Sequence, residues 1–245
     1  MRTFILLTLR RSVLHQGIVV VLSAVGAGIV VNSLLSSDVL PAIRQGGLPP
    51  PQVTASIIWT PYALMFVTAR AVRMALLVPI EPRANWVYRM TESVASRARH
   101  LDAAVHVLLV ASVAVPVALM LPLQWLVFGP LSLAVASASA VMGWLYVELL
   151  MQSWARIPFT CSYIPGKGFV PQALLLRIFS FAAFTGLGSA LGAMAARLGV
   201  AAIVFGALVL AAAAGLRYWR RTHLYDLPLE FEDAVPSEIN PLRLS

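Results

Sequence analysis

RAVRMALLVPIEPRANWVYRMTESVASRARHLD, residues 70–102, is the longest polar interruption in a chain otherwise made of apolar runs of membrane-spanning length. It holds six of the eighteen basic residues, Arg70, Arg73, Arg83, Arg89, Arg97 and Arg99. A cluster of this kind on a short loop belongs on the cytoplasmic side of a membrane, and so orients the rest of the chain. The stretch also predicts an amphipathic helix over 82–101. Pro82 suits a first helical turn. Val87, Met90, Val94, Ala98 and Leu101 then recur at spacings of three and four as one apolar stripe, with Arg83, Arg89, Glu92, Arg97 and Arg99 mainly off it.

Composition sets the class. Of the 245 residues, 60% are hydrophobic and 11% charged, and the mean hydropathy is +0.84. Soluble domains are about 45–50% apolar and about 25% charged. The net charge of +8 lies beside the apolar runs, where orientation and anionic lipid account for it without nucleic acid. A single cysteine, Cys161, excludes an internal disulfide.

Outward from the central loop, the sequence predicts an all-α integral membrane protein with six transmembrane helices at about 16–35, 53–78, 103–123, 131–151, 178–195 and 199–216. An N-terminal segment, too short to span and closed by Arg10 and Arg11, is expected at the interface. Residues 1–222 form the membrane domain and 223–245 an acidic, Pro-containing cytoplasmic tail. The connections 36–52 and 124–130 are poor in positive charge and suit the outside. Of the basic residues, only Arg44 and Arg197 then fall there. Both termini are expected in the cytoplasm, in a bacterial inner membrane. Trp59 and Tyr62 are read as outer-interface aromatics, and Arg70 and Arg73 as cations snorkelling to the headgroups. Small-residue pairs Ala24/Gly28 and Gly188/Gly192, and the stripes Ser132/Ala136/Ala140 and Ala207/Ala211/Gly215, are candidate helix contacts.

Chemistry is sparse. H-E-x-x-H, C-x-x-C and G-x-S-x-G are absent, and Pro165-Gly166-Lys167-Gly168 lacks the spacing of a phosphate loop. The sequence predicts no catalytic set, no cofactor and no metal ligands. Asp102 and His106 are spaced to share a helix face. Glu148 is the one carboxylate within a span and implies a function or a buried partner. Glu81, Arg83, Trp86, Arg89 and Glu92 interleave acids with Arg and Trp more than orientation requires, and form a candidate docking surface for a cytoplasmic partner.

Residues 77–91, LVPIEPRANWVYRMT, and 156–167, RIPFTCSYIPGK, resemble a group of acidobacterial-type multi-spanning membrane proteins with no assigned activity. The resemblance implies that the chain corresponds to the C-terminal half of longer members. It marks Pro158, Cys161, Tyr163 and Lys167 as a candidate cytoplasmic loop motif. More loosely, the chain is similar to six-helix permease subunits of ABC exporters. Residues 1–11 and 82–101 occupy the places of their interfacial and coupling helices, whereas the turn at Arg197 is too short for their re-entrant helices. That likeness implies a permease-like transport subunit whose ATPase is another chain, in a homo- or hetero-oligomer in the lipid bilayer. The competing expectations are a membrane-embedded enzyme acting on a lipid-like substrate and a non-transporting scaffold or assembly factor.

Overall fold

The computed structural model describes residues 2–39, 41, 44, 50–78, 93–152, 154, 158–159, 171–197 and 199–224. Among these the regular structure is helical throughout. The helices are α1 (Arg2–Arg11), α2 (Val13–Ser36), α3 (Pro51–Leu77), α4 (Val94–Leu109), α5 (Val115–Phe128), α6 (Ser132–Met151), α7 (Pro171–Ala196) and α8 (Val200–Trp219). Five helical runs are long and apolar enough to cross a membrane: Val13–Ser36, Pro51–Leu77, Arg97–Met151, Leu174–Ala196 and Val200–His223.

Proline and glycine shape the long third run. Pro116 has no N–H for the Ser112 carbonyl, and the chain widens just before it into a π-helical segment, Val110–Ala114. The Val115 N–H donates to the Val110 carbonyl, so the ladder stays satisfied through the irregularity. At Gly129 (φ 57°, ψ −135°) the run reverses, through a conformation that strains any residue with a Cβ. α6 then packs back along α4 and α5. The closeness is visible at Gly143, where an added Cβ would stand 2.9 Å from both Val113 Cγ2 and Met65 Sδ.

α3 is the hub. It touches α2, α5, α6 and α7, and Ile58, Tyr62, Met65, Phe66, Ala69, Val72 and Leu76 carry its core face. Tyr62 is fully buried rather than interfacial, because α7 offers it a groove floored by glycine. A Cβ at Gly188 would lie 2.5 Å from its ring, and one at Gly192 would lie 2.7 Å from Ile58 Cγ2. Above it, Phe66 stacks on Tyr146 (5.1 Å between centroids) and meets Phe181 edge-on (5.1 Å), while Tyr146 lies 4.5 Å from Phe184.

Several expectations change. Of the residues assigned to the amphipathic helix, 82–92 lie outside the described ones. Residues 94–101 are the first two turns of α4, continuous with the helix beyond. The connection expected at 124–130 shrinks to a 3-10 turn, Gly129–Leu131, and Gln124 is buried at the end of α5. Gly26, not Gly28, makes the close contact of α2: its Cβ would lie 3.0 Å from Val67 Cβ, while nothing lies near Gly28. Ala207, Ala211 and Gly215 are exposed, and α8 buries Val209 and Ala213 instead. The tail beyond 224 lies outside the described residues.

Gly188→Ala should therefore overpack the α3–α7 contact and cost about 1–3 kcal/mol. Gly186→Ala, with nothing within 4 Å of the added Cβ, should be neutral or stabilising. Thermal unfolding in detergent measures both, and equal midpoints would contradict the groove.

Candidate functional site

The ends of six helices meet on one side of the bundle: the start of α2, the end of α3, the start of α4, the end of α6, the start of α7 and the end of α8. Cross-links between distant parts of the sequence hold this end together. His15, one turn into α2, is buried; its Nε2 donates to the Val78 carbonyl just past α3 (3.1 Å). In the neutral ring Nδ1 then accepts from the hydroxyl of Ser12, the N-cap residue (2.6 Å). Phe159 lies edge-on to His15, with ring centroids 5.3 Å apart, and donates its N–H to the Leu76 carbonyl (2.7 Å). The Gln152 amide donates to the Leu216 carbonyl near the end of α8 (3.1 Å).

The charged part centres on Glu148, which is fully buried one turn from the end of α6. Helical side chains lean towards their own N-terminus. Glu148 accordingly reaches back to accept from Trp144 Nε1 (3.2 Å). Its second oxygen accepts from Arg220 Nε at 3.0 Å, an ion pair in which the side chains are 0% and 2% exposed. Arg220 opens a π-helical segment, Arg220–Leu224, at the end of α8. Segments of this kind re-aim side chains and recur at functional positions. Asp102, on the first turns of α4, extends the network with Arg220 Nη1 at 3.8 Å and Arg221 Nη2 at 3.0 Å. Three helices far apart in sequence are thus joined by alternating charge. A buried carboxylate is costly unless paired and hydrogen-bonded, and here it is both.

Tyr146, two residues before Glu148 and about 200° around the helix, faces the other way, towards α3 and α7. There it accepts a hydrogen bond from Arg70 Nε (2.9 Å), and the Arg70 guanidinium lies 5.3 Å from the Phe66 ring centroid. Arg73 lies 5.5 Å from the Trp154 ring. Arg70 therefore leans inward, onto rings. At the opposite end, α6, α7 and α8 line an open apolar pocket of about 320 Å³, with small residues such as Ala134, Ser137, Ala138, Ala195 and Gly206 in its walls.

Of the residues singled out in the sequence, Glu148 sits at the centre of this site and Asp102 at its edge. Asp102 engages arginines, while His106 is exposed. Pro158 is described as part of a turn and is buried. Glu81, Arg83, Trp86, Arg89, Glu92, Cys161, Tyr163 and Lys167 lie outside the described residues. Sequence reading missed Arg220, taken only as a charge ending the last span, and His15. The Ser12-x-x-His15 spacing at a helix start was the available signal for His15.

Removing Glu148 takes the nearest counter-charge from the buried Arg220, with Asp102 left at 3.8 Å, so Glu148→Ala should cost about 3 kcal/mol. Asp102 and Arg221 are 36% and 45% exposed, and Asp102→Asn should cost less than about 1 kcal/mol. Denaturation of the purified variants in detergent measures the contrast. Equal losses would place the weight of the network on the wrong carboxylate.

No protein-family model, no curated protein and no solved structure matches the chain.

Proposed function

We propose that the chain is a six-span, permease-like subunit of a bacterial inner-membrane transporter, working with a separate ATPase and with both termini at the cytoplasmic face. The sixth crossing comes from the 55-residue run Arg97–Met151. As one straight helix it would be about 80 Å long, against a hydrocarbon core of about 30 Å. Its reversal at Gly129 supports two crossings. α1, with 10 residues, is about 15 Å long and too short to span, which fits an interfacial segment.

Orientation follows from charge. Arg10 and Arg11, Arg70 and Arg73, Arg97 and Arg99, and Arg217, Arg220 and Arg221 all belong to the end where the ion-pair network lies, whereas Arg197 belongs to the other. An excess of this kind marks the cytoplasmic side.

The observation that carries the transport reading is the buried Glu148–Arg220 pair. Ionisable groups within spanning helices are expensive, and they mark working parts of membrane proteins by default. This pair joins α8 to α6 through a contact that is either made or broken, as a two-state helix rearrangement requires. Glu81, Arg83, Trp86, Arg89 and Glu92, in the sequence between α3 and α4, are the proposed docking residues for the ATPase.

Two experiments test the reading. In a Cys161→Ala background, Ser36→Cys and Pro130→Cys should react with a membrane-impermeant thiol reagent on intact cells, and Thr222→Cys only after lysis; the reverse pattern overturns the orientation. The tagged chain, purified from its native membrane, should carry an ATP-hydrolysing subunit that is lost in Arg89→Glu while membrane insertion persists. Purification without such a subunit contradicts the transporter assignment.

A further inference from the structure

We propose that Arg70 on α3 and Arg177 on α7 form a seat for a phosphate group at the charged end of the bundle, backed by Phe66 and Tyr146. The ligand class is a phosphate ester anion, and the apolar surroundings favour the headgroup of an anionic phospholipid from the adjoining leaflet. The inference rests on the bundle lying in a membrane and is independent of whether it transports anything.

Arg70 is half-buried and its orientation is fixed. Its Nε is used by Tyr146 (2.9 Å) and one face of its guanidinium by Phe66 (5.3 Å). No carboxylate among the described residues pairs with it. An arginine held among rings, with no carboxylate partner among the described residues, is placed to take an anion, and the planar guanidinium fork fits phosphate oxygens two at a time. Because Tyr146 accepts from Arg70, its own hydroxyl hydrogen remains to donate to the same anion.

Helix register brings in Arg177. Phe66 and Phe181 are in edge-on contact at 5.1 Å. Arg70 follows Phe66 by four residues on α3, and Arg177 precedes Phe181 by four on α7. The two helices run in opposite directions, so four residues from the ring contact carry both arginines towards the same end, about 6 Å beyond the rings. Arg177 is exposed, and Leu176, Ile178 and Phe179 beside it are exposed apolar side chains suited to acyl chains.

Native mass spectrometry of the detergent-purified chain tests the seat, with dioleoylphosphatidylglycerol, dioleoylphosphatidylcholine and inorganic phosphate as probes. The chain should retain phosphatidylglycerol in preference to phosphatidylcholine. Arg70→Gln and Arg177→Gln should each reduce that retention about fivefold, while Arg197→Gln at the other end leaves it unchanged. Arg177 is exposed, so its variant keeps the test decisive even if Arg70→Gln misfolds. Millimolar inorganic phosphate competing away a bound anion, with no preference between the lipids, supports the seat and assigns it to a soluble phosphate compound. Undiminished phosphatidylglycerol retention in Arg177→Gln and in the double variant, or retention of neither probe, overturns the proposal.

Discussion

A carboxylate inside an apolar helical bundle has no water to solvate it, and the arrangement of this protein follows from how Glu148 meets that constraint. Arg220 approaches to 3.0 Å and Trp144 supplies a second hydrogen bond. Between spanning helices there is little hydrophobic driving force, since lipid tails are as apolar as the side chains they would replace, and close contacts and polar bonds decide which helices associate. α8 illustrates this. Its outward face carries Val204 and Leu208, both exposed, and its helical turns bury only Val209 and Ala213. Beyond its packing along α6 and α7, its register is pinned at its end by Arg220 to Glu148 and by Gln152 to the Leu216 carbonyl.

The same helix that presents Glu148 presents Tyr146 on its opposite side. α6 thus separates two environments at one end of the bundle. One is a network of alternating charge shared with α4 and α8; the other is a ring-lined niche shared with α3 and α7, where Arg70 leans inward. A shift of α6 along its axis would disturb both at once. That coupling makes the charged end, rather than the apolar pocket at the other, the natural place to look for conformational work in the proposed transporter.

The all-helical class, with apolar runs long enough to cross a membrane, was legible because it depends on local sequence. Uncharged runs of about 20 residues, Arg-rich breaks and Pro/Gly punctuation are all read within a short window. The irregular features were partly legible: a proline inside an apolar run, as at Pro116, signals a disturbed helix, and the π-segment before it is the form the disturbance takes here. The partners across helices were not. Glu148 and Arg220 are 72 residues apart, and nothing in the run ending at Arg217, Arg220 and Arg221 distinguishes the arginine that turns inward from those that end a span. Small-residue pairs misled where Ala and Gly are abundant. Gly26 rather than Gly28 meets Val67, and the Ala207/Ala211/Gly215 stripe is exposed. Tyr62 resembled an interface residue by position alone, because the glycines that admit it, Gly188 and Gly192, lie on a helix more than 120 residues later.

The central claim is that one buried ion pair fixes the association of α6 with α8. A double-mutant cycle in the purified protein, comparing Glu148→Gln, Arg220→Gln and the double variant by denaturation in detergent, isolates that interaction from the loss of each side chain. The account predicts a coupling free energy of about 2 kcal/mol or more, with the double variant clearly less destabilised than the sum of the two single ones. Additivity within about 0.5 kcal/mol would mean that the two charges act independently and would contradict it.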